Sequence, residues 1–332
     1  MKDDKKRSIL FSSSLTIMFT LAFTFASIEL PRLFNNFLSN IFPDIHPYIE
    51  PDLIEEFLKK VRPFGYASFL IIFLLIVIGF LTTNKILSKL GAFAVFLPVF
   101  GSFASQMFFL AGIGILRVLW LPLFDSSAKL MKLGDIAYLP YMILVYPFSL
   151  LGLDIRLETA YIAIWIGIAL FLFSTFTWIQ SKFHKINVVE FWVYKYSRHP
   201  QYLGYIIWSY GVMLIATLYP VPRGGINPGP SLPWLISALI IVCISIKEEI
   251  TMVNFDIAYT TYRKNTPFML PIPKFLSDKL SAHREFLFKN GQMVNLKILL
   301  LFVFYLIFLI LLSLPFYLLD YPPGLGWMTW PM

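Results

Sequence analysis

The sequence predicts an all-α, polytopic transmembrane protein of about seven to eight spans, and three observations carry that prediction. Hydrophobic residues make up 58% of the chain and charged residues 14%, short of the roughly one quarter that a soluble surface needs. Mean hydropathy is +0.72. Several apolar runs reach about twenty residues, the length a helix needs to cross a hydrocarbon core of about 30 Å. Lipid offers the backbone no water, so such runs are helical unless they close a barrel, and none alternates with period two.

The runs fall at 9–28, 64–82, 92–121, 136–152, 158–180, 201–219, 231–247 and 296–319. The first follows Lys2, Lys5, Lys6 and Arg7 and is longer than the apolar core of a signal peptide, so it reads as a retained span. Within 29–62, Asp52 can cap a surface helix that pairs Glu55 with Lys59 and Glu56 with Lys60, with Leu53, Phe57 and Val61 on another face. The third run is too long for one upright helix and contains Gly112 and Gly114; the fourth is short and contains Pro140 and Pro147. Either of these two can be a broken or re-entrant element. Eight full passes would separate the basic N terminus from the basic segments 181–198 and 248–295, against the positive-inside rule.

The connection Tyr219–Pro230 holds one basic residue, Arg223, among prolines and glycines, so spans six and seven form a hairpin that turns on the opposite face. The single cysteine, Cys243, lies in the seventh run, which leaves no disulfide framework and no cysteine-rich metal site. No metal is expected. The net charge of +8 is scattered over loops, where it sets orientation and meets anionic headgroups of membrane lipids, and this argues against nucleic acid as a partner.

The hairpin gives the chemical clue. Arg198, His199 and Pro200 begin the sixth span and Glu248 and Glu249 end the seventh, so antiparallel packing brings all five to one face. Pro200 suits the first helical turn, whose free amides favour an anion. With Tyr202 as an aromatic wall, this corner offers what S-adenosylmethionine presents a need for. Arg198 or His199 can meet its carboxylate, Glu248 or Glu249 its ribose hydroxyls or ammonium, and Tyr202 its adenine.

At these positions the chain resembles a known family. Tyr194-Lys195-Tyr196-Ser197-Arg198-His199-Pro200-Gln201-Tyr202-Leu203-Gly204 is similar to the Tyr-Arg-Tyr-x-Arg-His-Pro-x-Tyr-x-Gly signature of the isoprenylcysteine carboxyl methyltransferase and phospholipid methyltransferase family. Glu248-Glu249, followed by Phe255, Tyr259, Tyr262, Pro267 and Pro271, resembles that family's second block. Two ordered blocks separated by a hairpin are more specific than either alone. The chain departs from the pattern at Trp192-Val193, where relatives often have Gly-Pro, at Asp256 in place of glycine, and at Thr266 in place of valine.

The resemblance divides the chain into N-terminal helices of unassigned role (1–157), a methyltransferase-like core (158–271), and an interfacial segment with a final helix (272–332). It implies a methyltransferase that uses S-adenosylmethionine, with a cytoplasm-facing pocket open sideways to lipid. The implied acceptor is hydrophobic or lipid-borne: a prenylcysteine carboxylate, a lipid amine or a small thiol. Arg198, His199, Tyr202, Gly204, Glu248 and Glu249 are the implied cofactor-binding residues, Gly204 through close approach. Tyr259, Tyr262 and Arg263 are candidates for closing the site. Methyl transfer from a sulfonium is an in-line displacement in which positioning and exclusion of water dominate. Oligomeric state is not legible.

A rival reading is an NADPH-dependent membrane sterol or lipid reductase sharing the Arg-His-Pro-x-Tyr-x-Gly element, and a third is a non-enzymatic relative. The adjacent glutamates argue against the reductase, because they repel that cofactor's extra phosphate. His199 can act as base, cap amides or contact cofactor, and contact is the preferred reading. Trp192, Tyr194, Tyr196 and Tyr205 also fit an interfacial aromatic belt. Arg117 carries no role, and His46-Pro47-Tyr48 with Glu55-Glu56 echoes the motif by coincidence.

Overall fold

Helices carry nearly every residue that can be placed. The computed structural model describes residues 2–41, 51–82, 86–87, 89–92, 94, 109–110, 113–114, 119–218, 229–273, 275–276, 279 and 294–319. In chain order the elements are α1 (Lys2–Ser39), α2 (Pro51–Leu81), α3 (Leu121–Ser126), the 3-10 helix η1 (Ala128–Tyr138), α4 (Leu139–Leu150), α5 (Arg156–Phe183), the 3-10 turn η2 (Trp192–Lys195), α6 (Pro200–Leu218), α7 (Ser231–Phe255), α8 (Ile257–Asn265) and α9 (Val294–Leu318). A two-residue ladder pairs Phe109–Leu110 with Ile113–Gly114. Arg117, Gly112, Arg223, His46-Pro47-Tyr48 and most of the run 92–121 lie outside the described residues.

Six stretches are long and apolar enough to cross a bilayer: Lys6–Ser27, Leu58–Leu81, Lys129–Leu150, Arg156–Phe183, Pro200–Leu218 and Val294–Leu318. The chain is an integral membrane protein. Phe73, Phe304 and Leu311 are exposed on these helices, as a lipid-facing surface requires. Helix α7, read from sequence as the seventh span, is the one its neighbours enclose: Ile240, Cys243, Ser245 and Ile246 are all buried.

Contacts between helix ends fix the arrangement. Gln180 near the end of α5 donates to Ser8 O of α1 (3.4 Å), and Phe11 meets Phe183 edge-on. Lys247 near the end of α7 donates to Gly79 O (3.4 Å), Phe80 O (3.3 Å) and Thr82 O at the end of α2. An ammonium at a helix C terminus satisfies its orphan carbonyls and complements the dipole. Asn295, at the start of α9, donates to Leu81 O (3.1 Å). The basic N terminus, the end of α2, the end of α5, the start of α6, the end of α7 and the start of α9 therefore share one end of the bundle.

The other end is built around η1. The Ser231 hydroxyl donates to Asp135 Oδ1 (2.6 Å) and Met131 O (3.2 Å), and a Cβ on Gly134 would stand 2.2 Å from Leu232 N. η1 thus lies directly on the first turn of α7, where a carboxylate complements the helix dipole. Tyr138 and Thr217 hydroxyls are 2.7 Å apart, and Tyr210 donates to Ala137 O (2.8 Å). Because η1 meets the end of α6 and α4 leads straight into the start of α5, both ends of 129–150 lie at this one end. The other candidate for a broken element, 92–121, lies mostly outside the described residues.

Glycines set the spacing of α5 and α6. A Cβ at Gly204 would stand 2.7 Å from Phe171 N, one at Gly167 2.3 Å from Trp208 N, and one at Gly211 2.8 Å from Ala160 O. Backbone approach of this kind is how membrane helices gain packing energy without a hydrophobic drive between them.

Two local expectations change. The surface helix and the second span are one helix, continuous through Pro63, with both i,i+4 pairs formed (Glu55–Lys59 2.9 Å, Glu56–Lys60 2.6 Å). Asp52 lies in its first turn and does not cap it, because Pro51 already starts the helix.

Candidate functional site

The start of α6 and the ends of α7 and α8 converge on Arg198. Its Nε lies 2.5 Å from Glu249 Oε1 and its Nη2 3.3 Å from Oε2, while Nη1 donates to Thr266 O (2.9 Å) and to Arg263 O. The Arg198 amide donates to Pro267 O (3.0 Å). Only 6% of the Arg198 side chain and 3% of Glu249 are exposed. The guanidinium fork is thus spent on one carboxylate and two carbonyls, and it fastens α8 across the ends of the hairpin. Arg263 stands behind the pair, its Nε 3.8 Å from Glu249 Oε2.

Its neighbour Glu248 faces the other way. Tyr202 donates to Glu248 Oε1 (2.8 Å), and Lys89 Nζ is 4.0 Å from the same oxygen and 5.5 Å from the Tyr202 ring centre. Glu248 keeps 24% of its side chain exposed. Successive residues on a helix point about 100° apart, so one glutamate enters the scaffold and the other enters a cavity.

That cavity has a volume of about 810 Å³ and lies between α1, α5, α6, α7 and α8. Arg198, His199, Tyr202, Glu248, Tyr259 and Tyr262 all line it. Gly204 does not, and its close neighbour is the α5 backbone and not a ligand; Glu249 and Arg263 sit behind the wall. Elsewhere the wall is apolar, from Phe19 and Phe23 of α1 and Phe171 of α5, with Phe23 stacked on Phe171 at 4.9 Å. Lys89 and Lys182 add positive charge. The donor set suits a ligand that carries both charge signs on an apolar body, within the size range of small-molecule sites. Among the described residues, no group of three or more His, Cys, Asp or Glu is placed to hold a metal.

His199 precedes Pro200 as the cap of α6. Its amide donates to Ser197 Oγ (3.3 Å) and its carbonyl accepts from Leu203 N (3.0 Å), so capping uses the backbone and not the ring. Ring Nε2 is 3.2 Å from Glu249 Oε1, and Phe268 meets the ring edge-on at 5.2 Å.

Helix α8 contributes Tyr259 and Tyr262 to the cavity wall. Tyr262 donates to Tyr194 O (2.6 Å), and Tyr259 packs edge-on to Tyr262 at 5.7 Å. Burial pushes the phenols of Tyr194, Tyr259 and Tyr262 well above the usual tyrosine value.

Asp256, Thr266 and Trp192 each have a local role or setting. Asp256 accepts from Ala258 N (2.9 Å) and caps α8, a role in which aspartate outperforms glycine. Thr266 ends α8 and supplies a carbonyl to Arg198. Trp192 adopts φ 54°, the left-handed region where glycine is at ease and a bulky side chain is strained. Its ring is exposed and lies 5.8 Å from Phe176.

Sequence reasoning passed over Lys89, Lys182 and Lys247. Lys247 adjoins the glutamate pair, and an ionisable residue flanked by an apolar run was the available signal; Lys89 and Lys182 had none. No protein-family model, no curated protein and no solved structure matches this chain.

Proposed function

We propose that this protein is a membrane-embedded, S-adenosylmethionine-dependent methyltransferase for a hydrophobic or lipid-borne acceptor that enters from the bilayer. The observation that carries the proposal is the cavity: Arg198, His199, Tyr202 and Glu248, brought together from two separated sequence blocks, share one enclosure with an aromatic wall from α1 and α5. When bound, the cofactor supplies a methyl group on a positively charged sulfur. Glu248 is placed to accept from hydroxyls or an ammonium, and Tyr202 flanks it with an aromatic face. Phe19, Phe23 and Phe171 offer an apolar lining to a lipid tail. Arg198 in the wall and Glu249 behind it hold α8 beside the cavity, which limits water in a displacement that needs positioning above all.

The positive-inside rule sets the orientation. Lys2, Lys5, Lys6 and Arg7 share the site end with the basic segment 181–198, so that end faces the cytoplasm. Helices α1, α2, α5, α6, α7 and α9 run between the two ends.

Incubating the purified protein with methyl-labelled S-adenosylmethionine and a total lipid extract tests the reading. Label in an organic-soluble product, lost in Glu248→Gln, supports it. Ligand binding by NADPH in place of S-adenosylhomocysteine overturns it in favour of the reductase.

A further inference from the structure

We propose that the basic end of the seam between α1 and α5 is a binding site for an anionic phospholipid, held by Lys6, Arg7, Lys182 and Lys185. The site is built from residues other than those that would meet a cofactor and is independent of the methyltransferase reading.

Two contacts bring these cations together. Gln180 donates to Ser8 O (3.4 Å) and Phe11 meets Phe183 edge-on at 5.5 Å, so the residues just before Ser8 and those just after Gln180 lie within about a helical turn of one point. Lys6, Arg7, Lys182 and Lys185 are all exposed. Among the described residues no salt bridge reaches any of them, and Lys182 Nζ lies 5.6 Å over the Trp178 ring. Like charges gathered on two adjoining helices repel, and an anion set between them removes the repulsion.

The backbone supplies a second observation. Helix α5 ends in a turn in which Lys185 N donates to Lys182 O (3.1 Å) and Ile186 N to Ser181 O (2.9 Å). That pattern puts residue 185 in the left-handed region, a position glycine usually fills, and Lys185 occupies it at φ 54°. Strain retained at an exposed position points to a task for the side chain. A cation at the end of α5 complements the helix dipole, but Lys182 already stands in the last turn, so the dipole gives no reason for lysine at 185. An anion shared with Lys182 does.

The surroundings favour a lipid over a soluble anion. Phe11 and Leu15 of α1 and Trp178 and Phe183 of α5 are exposed beside the cations, on helices long and apolar enough to cross the bilayer, so an acyl chain has a surface next to its head. Lysine and arginine clusters at such helix ends attract acidic lipids, by about fivefold in association per cation. The seam gains from the bridge. The hydroxyls of Ser12 and Thr20 on α1 are buried without a hydrogen-bond partner, and α1 carries Phe19 and Phe23 of the cavity wall, so a head that joins α1 to α5 steadies that wall.

The test titrates phosphatidylserine or phosphatidylcholine into the full-length protein in detergent and reads the first bound lipid by native mass spectrometry. Wild type is expected to bind phosphatidylserine about tenfold or more tightly than phosphatidylcholine, with the preference falling about fivefold for each cation removed in Lys182→Gln and Lys182→Gln/Lys185→Gln. Lys195→Gln/Lys264→Gln, which removes as much charge elsewhere at the same end, keeps the preference. Lys185→Gly weakens the preference yet unfolds at a higher temperature than wild type in lipid-free detergent, because glycine relaxes the left-handed backbone. Equal binding of the two lipids by wild type, an unchanged preference in Lys182→Gln/Lys185→Gln, an equal loss in Lys195→Gln/Lys264→Gln, or a lower unfolding temperature in Lys185→Gly overturns the assignment.

Discussion

Arg198 Nε stands 2.5 Å from Glu249 Oε1 in a pair that solvent barely reaches, and the same guanidinium holds the last turn of α8 through Thr266 O. The pair belongs to the scaffold, while Glu248 one residue away belongs to the cavity. Removing either member of a buried pair strands the other and costs about 3–5 kcal/mol. Arg198→Ala and Glu249→Leu are each expected to lower the detergent-solubilised unfolding temperature sharply, and Arg198→Met/Glu249→Leu to recover much of it. Glu248→Gln is expected to leave that temperature nearly unchanged.

Gly204 is a packing residue between α5 and α6. With Phe171 N 2.7 Å from any Cβ there, Gly204→Ala forces two helix backbones apart and is expected to cost about 1–3 kcal/mol. Thermal unfolding monitored by far-ultraviolet circular dichroism measures it. A cofactor-contact role would instead show as lost ligand affinity at unchanged stability.

At Trp192 the left-handed backbone predicts an inverted glycine effect. Trp192→Gly is expected to be more stable than Trp192→Ala by about 1 kcal/mol, because only the alanine variant retains a Cβ at φ 54°. Comparing the two variants by chemical denaturation cancels the loss of the indole.

Alkaline pH should open α8. The phenols of Tyr194, Tyr259 and Tyr262 are raised in the folded state by burial. A folded value above the unfolded one means their stabilising contribution is complete below the unfolded tyrosine pKa of about 10 and is lost as pH rises beyond it. Stability is therefore expected to hold from neutrality to about pH 10 and to fall above it. Tyr259→Phe should soften that alkaline fall, as read by unfolding at stepped pH.

Much of this was legible in the sequence because hydropathy is a one-dimensional property. The long spans near 9–28, 64–82, 158–180, 201–219 and 296–319 all appear as helices. Pro63 obscured the continuity of α2, since an interior proline reads as a break until neighbouring packing overrides it. The position of 129–150 beside the ends of α6 and α7 depends on tertiary contacts such as Tyr138 with Thr217, which no local pattern encodes. At the site, motif order put Arg198, His199, Tyr202, Glu248 and Glu249 in one place. It did not reveal which glutamate faces inward, because that depends on the rotation of α7 against its neighbours. Nor did it reveal that the glycine of the motif spaces two helices.

The most direct measurement is calorimetric titration of S-adenosylhomocysteine, with NADPH as control, into purified wild type and Glu248→Gln. Micromolar binding of S-adenosylhomocysteine alone, weakened tenfold or more in a Glu248→Gln protein that unfolds at the wild-type temperature, is the result this account predicts. Binding of NADPH, or of neither ligand by folded wild type, contradicts it.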